Sequence, residues 1–351
     1  MLQRNPTSWQ RPRWQQSLAE AIRDPAELLS LLELPADALA LSQQTADQFP
    51  LRVPRSYVAR MRKGDPDDPL LRQILPLHAE ELEFAGFYSD PVGDLAAMPL
   101  PGLLHKYHGR VLLITTGACG IHCRYCFRRH FPYGDANPAP DAWRSALGYI
   151  AADPSVTEVI LSGGDPLALP DHRLAELVDQ LGTIPHVKRL RIHSRLPIVL
   201  PERIDARLME WLNTSLLQKV MVVHANHPNE IGEDTVQALR DLQACGVTVL
   251  NQAVLLRGVN DSADILSALS ESLFTAGVLP YYLHLLDKVK GAAHFDVSEA
   301  SAVRLINALQ NRLPGYLVPR LVRETAGTPA KIPVREAEPG NVISEESGTL
   351  L

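Results

Sequence analysis

The chain has 351 residues, 46% of them hydrophobic, enough for one large domain with appendages and a substantial core. Its 34 basic and 40 acidic residues give a net charge of −6 spread along the chain, so no basic tract argues for a nucleic-acid partner. No apolar run reaches the roughly 18 residues a membrane span needs, and the opening MLQRNPTSWQRPRWQQ lacks the apolar middle of a secretory signal. A cytoplasmic location without membrane contact is expected.

Residues 1–100 are expected to form a helical N-terminal region. Asp24-Pro25-Ala26-Glu27 offers an N-cap, a proline at the first helical position and an acid in the first turn, followed by the apolar face Leu28, Leu29, Leu31 and Leu32. The stretch 64–69 is a turn-rich linker, and nothing before residue 100 reads as chemistry. From residue 110, short apolar runs alternate with amphipathic segments, the mark of repeated strand-helix units around a parallel sheet. Strands are predicted at 111–116, 156–161, 187–193, 219–224, 247–254 and 279–284, with helices at 171–181, 201–212 and 233–245 among the segments between them. Six units are too few to close a full barrel. The expected α/β fold is therefore a partial (β/α)6 barrel over 101–296, followed by a C-terminal segment, 297–351, that opens with a helix at Ser298 to Leu309.

Unusual residues gather after each predicted strand, where barrel enzymes build their sites. They are the cysteine loop, Ser162-Gly163-Gly164-Asp165-Pro166, His193-Ser194-Arg195, the run from His224 to Glu230, Asn251-Gln252 on the fifth strand, and His284 to Asp287. Cys119, Cys123 and Cys126 form a C-x3-C-x2-C loop of soft thiolate ligands, and the lone Cys245 reads as a small core residue. Three thiolates on a [4Fe–4S] cube leave one iron open, whereas electron-transfer ferredoxins use a fourth cysteine to close it. A three-cysteine zinc site completed by His122 or His130 is the competing reading.

The cysteine spacing after a first strand resembles the radical S-adenosylmethionine family, in which the open iron chelates S-adenosylmethionine and reductive cleavage yields a 5′-deoxyadenosyl radical. The resemblance implies a [4Fe–4S] cluster on the three cysteines and an external electron donor. It implies S-adenosylmethionine contacts from Tyr125, Ser162, Gly163, Gly164, Asp165, His224 and Gln252.

Over about 103–334 the chain further resembles the lysine 2,3-aminomutase family, through LLHKYHGRVLLITTGACGIHCRYCFRRHF, LSGGDPL, SRLPIVLPERI, NHPNEI, NQAVLLRGVND and PYYLHLLD. That resemblance implies pyridoxal 5′-phosphate on a Schiff-base lysine, matched by Lys331, and a phosphate held by Lys106 and Arg110. Arg128 matches the arginine for the substrate carboxylate, Asp287 and Glu324 match the acids for the L-lysine ammonium, and His284 replaces an aromatic at the pyridoxal ring. Glu324 stands where free-lysine mutases carry aspartate. Arg124, Arg128 and Arg129 also read as a solvated basic face, and Glu324 beside Arg323 as a surface pair.

HKYHGR, CRYCFRRHFPYG and PYYLHLLDKVKGAAHF resemble the short bacterial subgroup that makes (R)-β-lysine for a ligase acting on elongation factor P. The alternatives are an aminomutase that releases free L-β-lysine in bulk and a non-enzymatic iron-sulfur carrier or sensor.

Overall fold

The computed structural model describes residues 12–136 and 142–335; the outer ends of the first and third predicted segments lie outside the described residues. All six predicted strands form. In order they are β2 (Arg110–Thr116), β3 (Glu158–Gly163), β4 (Arg189–Ser194), β5 (Gln218–Val223), β6 (Thr248–Val254) and β7 (Leu279–His284), preceded by β1 (Leu103–Tyr107) and followed by β8 (Arg320–Arg323) and β9 (Ile332–Pro333). One sheet contains all nine strands in chain order, parallel from β2 to β8 with an antiparallel strand at each edge. A single cavity touches residues on or just beyond β1 to β8, so the sheet curls about it as an open barrel.

The differences from expectation have local causes. β3 and β4 begin two residues later than predicted because Val156 and Val187 are buried in the loops that precede the ladder, and burial alone makes them read as strand. Those strands run past their predicted ends to Gly163 and Ser194, and Ser162 and His193 line the cavity. The predicted helix at 201–212 splits into a 3-10 turn at Pro201–Arg203 and a helix at Ala206–Thr214, restarted by Asp205, whose side chain accepts from Leu208 N. A seventh parallel strand, β8, comes from the C-terminal segment. Its sequence RLVR has too little apolar pattern to be read as a strand, although Leu321 and Val322 are buried.

Short helices of the N-terminal region, such as Arg13–Ala19 and Pro25–Leu31, pack Trp14, Leu18, Leu28 and Leu29 into the same core as the strands. Asp24 caps the second of them as predicted, accepting from Ala26 N at 2.9 Å. Cys245 is buried in the core at a helix end. No helix among the described residues is long and apolar enough to cross a membrane.

The glycine pair after β3 laces the sheet to the cysteine loop. Gly164 N donates to Thr116 O at 2.7 Å and Asp165 N to Ala118 O at 2.8 Å. Gly163 sits at φ +127°, where a Cβ would lie 2.5 Å from Thr116 O; on Gly164 it would lie 2.3 Å from Ala118 O. Only bare backbone fits, because the neighbours are themselves backbone. Gly164→Ala is expected to cost about 3 kcal/mol and to displace the cysteine loop, while Gly182→Ala, in open space, leaves the thermal midpoint within a few degrees. Thermal unfolding of the two variants checks this.

Candidate active site

The cysteine loop leaves β2 and lies half-buried beneath the N-terminal region. Arg124 is fully buried and donates through Nε and Nη2 to both oxygens of Glu80, at 2.8 and 2.7 Å, while Arg129 reaches the same carboxylate at 2.7 Å. Backbone bonds from His122 N to Arg52 O and from Arg124 N to Gln73 O complete the frame. The solvated basic face is thus overturned: Arg124, Arg128 and Arg129 point inward onto carboxylates. Removing Glu80 would strand two buried cations, the kind of loss that costs about 3–5 kcal/mol.

His122 stacks on Phe49 with a ring nitrogen 2.7 Å from Pro50 O, and His130 meets Lys290 O at 3.2 Å. Each is held by a backbone carbonyl through one ring nitrogen. Arg195 instead approaches the sulfurs. Its Nη1 donates to Cys123 Sγ at 2.7 Å, and its Nη2 reaches Gln73 Oε1 at 2.7 Å, Glu230 Oε2 at 3.0 Å and Tyr57 OH at 3.1 Å. Burial pushes Cys119 and Cys126 up, the latter to about 11, and is opposed by Arg52 at Cys119 and by Arg128 and Arg129 at Cys126, which favour the thiolate that iron requires. The donor set therefore fits a cluster.

Asp165 faces away from the cavity. Its oxygens accept from Ser194 Oγ, Leu167 N, Arg195 N and Leu196 N, so it joins the β3 and β4 loops and fixes Arg195. Gly163 O accepts from Tyr133 OH at 2.8 Å. Tyr125 OH accepts from Asn226 Nδ2 at 2.7 Å, with the ring edge-on to Phe295.

The cavity, of about 250 Å³, is lined by Arg110, Arg128, Ser162, His224, Gln252, His284, Asp287, Glu324 and Lys331, and also by Asp94, Lys106 and His193. The pairing of β8 with β9 sets Arg323 opposite Ile332, so the residues flanking the turn, Glu324 and Lys331, face each other. Lys331 Nζ lies 2.5 Å from Glu324 Oε2, near the Tyr282 ring. The surface pair expected at Glu324 is not formed, because Arg323 turns to Glu299. Lys106 uses all three ammonium protons on Val92 O, Glu324 Oε1 and Asp94 Oδ1, at 2.9, 3.0 and 2.5 Å, leaving none for a phosphate. Arg110 lies over Tyr107 and makes no ion pair among the described residues.

Electrostatics divides the two acids. Burial opposes ionisation of Glu324, yet Lys331 and Lys106 bring it down to about 2. Asp287 is half-buried, and burial with repulsion from Glu324 raises it to about 7 against the pull of Lys331. His193, His224 and His284 are kept neutral chiefly by burial, and the Nε2 of each is buried without a partner among the described residues.

Several site residues gave no signal in the sequence. Asp94, Glu80, Gln73 and Tyr57 precede residue 100, so the expectation that this region carries no chemistry is corrected: it supplies the acids and donors that enclose the site. Arg195 lay in a polar segment already noted at a strand end, which was the one available hint.

Residues 113–269 match the family model described as Radical SAM superfamily. The L-lysine 2,3-aminomutase of Escherichia coli (strain K12) is 52% identical over 322 residues, spanning 92% of this chain and 94% of that protein. The chain belongs to the lysine 2,3-aminomutase family. The enzyme of the same name from Haemophilus influenzae is 48% identical across 94% of this chain and 98% of its own length, and that from Clostridium subterminale 34% identical across 96% and 80%. Membership makes this protein a radical S-adenosylmethionine enzyme of the isomerase class, with a [4Fe–4S] cluster and S-adenosylmethionine as the family's cofactors. The carrier reading falls with it.

Asp287 yields a prediction with a definite sign. Its carboxylate forms as pH rises through about 7, so a cationic amine such as cadaverine should bind more tightly with rising pH, by up to about tenfold per unit below that point. Calorimetry should show this slope in the native protein and its absence in Asp287→Asn.

Proposed function

We propose that the enzyme converts L-lysine to (R)-β-lysine, with pyridoxal phosphate on Lys331, for attachment to elongation factor P by a partner ligase. The observation that carries the lysine reading is one cavity with an arginine, two acids and a reactive amine: Arg128 for a carboxylate, Asp287 and Glu324 for a distal ammonium, and Lys331. The three imidazole nitrogens and the Arg110 guanidinium, without hydrogen-bond partners among the described residues, also fit a polar aromatic cofactor with a phosphate. The motif resemblance to the elongation factor P subgroup, and glutamate rather than aspartate at 324, favour the (R) product.

When bound, pyridoxal phosphate stabilises radical density next to the migrating nitrogen, and the cluster with S-adenosylmethionine and an external reductant supplies the hydrogen-abstracting radical. The chain's residues do the rest. Arg128 and Asp287 hold the ends of the substrate, which fixes its β-carbon relative to the cysteine loop. His193, His224 and His284 stay neutral and place polar contacts without adding charge beside Lys331. Glu324 receives the Lys331 ammonium whenever that amine is free, as in the present geometry.

Two tests follow. Chiral chromatography of product from anaerobically reconstituted enzyme should give mainly (R)-β-lysine; a mainly (S) product assigns the chain to the bulk-releasing group. Lys331→Ala should lose the visible band of covalently attached pyridoxal phosphate and keep its iron, whereas Cys126→Ala should lose iron and keep the band.

A further inference from the structure

The segment leading into β1 contains a buried acid with no assigned role. Asp94 is 2% exposed and uses both carboxylate oxygens: Oδ2 takes Arg128 Nε at 2.6 Å, and Oδ1 takes Lys106 Nζ at 2.5 Å. Its own backbone is held. Asp90 accepts from Asp94 N at 2.9 Å and from Leu95 N at 3.1 Å, and Gly93, at φ +68°, packs so closely on Ala326 that a Cβ there would sit 2.9 Å from the alanine methyl. The segment is thereby fixed against the turn that carries Lys331.

Arg128 is 8% exposed and has five N–H donors in one plane. Asp94 consumes Nε, Ser162 Oγ takes one proton of Nη1 at 3.2 Å, and Nη2 has no protein partner among the described residues. A carboxylate therefore cannot approach side-on through Nε and must use the Nη1/Nη2 end that remains. The two charges held by Asp94 also join two ends of the cavity. Arg128, Asp94, Lys106, Glu324 and Lys331 form an unbroken sequence of alternating charges, each pair within 3.0 Å.

We infer that Asp94 is the positioning residue that gives this site its selectivity for an α-carboxylate: it turns Arg128 end-on to the cavity and sets its distance from Lys331. This rests on the reading of Arg128 as the carboxylate partner. Arg128 and Lys106 together hold the Asp94 carboxyl below the usual carboxylate range against its own burial. A purely structural acid would stabilise the region without regard to what binds. A positioning acid alters the discrimination between ligands with and without a carboxylate.

The test uses the full-length protein, cluster-reconstituted and loaded with pyridoxal phosphate, without S-adenosylmethionine so that no turnover occurs. Calorimetric affinities for L-lysine and for cadaverine, which lacks only the carboxylate, are compared in native protein and Asp94→Asn, with iron content and thermal midpoint as controls. Asp94→Asn should weaken lysine at least about tenfold, about 1.4 kcal/mol, and leave cadaverine within about twofold. Equal loss for both ligands, or unchanged lysine affinity, overturns the inference. If Asp94→Asn loses iron or does not fold, Asp94→Glu decides. It keeps both ion pairs but moves the carboxylate, so it should lower the lysine-to-cadaverine ratio at least about threefold, and an unchanged ratio overturns the inference. Native protein that binds the two ligands equally would instead refute the carboxylate role of Arg128, a failure recognisable before any variant is made.

Discussion

Everything at the mouth of the sheet depends on charges neutralising one another out of water. Glu80 serves two arginines, Glu230 serves Arg195, Asp94 serves Arg128 and Lys106, and Glu324 serves two lysines. None of these groups is affordable alone, since an unpaired buried ion costs several kcal/mol. Sharing Glu80, Asp94 and Glu324 between two cations each makes those sets interdependent. It also explains why Asp287, the acid without a neighbouring cation at bonding distance, is the one whose proton is retained nearest neutrality.

The N-terminal region is part of this arrangement. It contributes little to the sheet, but Glu80, Gln73, Tyr57 and Asp94 reach the cysteine loop and the cavity from outside the strands. The parallel sheet supplies positions for Arg195, His224 and Gln252 at its strand ends. The N-terminal segments supply the counter-charges that let those positions be buried.

This division explains what was legible in the sequence. Strand positions followed from local alternation, and the cysteines from a spacing within eight residues. The cavity residues Arg128, Asp287, Glu324 and Lys331 came through resemblance, and the folded chain brings all four together. Asp94 and Glu80 were not legible, because each meets its arginine across 34 and 44 residues and nothing in their own segments marks them. Lys106 was expected through the resemblance to hold a phosphate, whereas its three acceptors here come from Val92, Asp94 and Glu324. β8 was missed because two buried residues between arginines give no usable period.

The hairpin of β8 and β9 has one more consequence. Its inner strand, β8, pairs with β7, but β9 is an edge held by two residue pairs, Val322 with Pro333 and Arg323 with Ile332. The cysteine loop, by contrast, is tied down on every side by buried ion pairs and glycine packing. The molecule thus joins a stiff half to a compliant half, and local opening at the edge needs far less energy than opening at the loop. It is also the last part of the site to leave the ribosome, so the cysteine loop can fold against the N-terminal region while the wall that bears Lys331 is still missing.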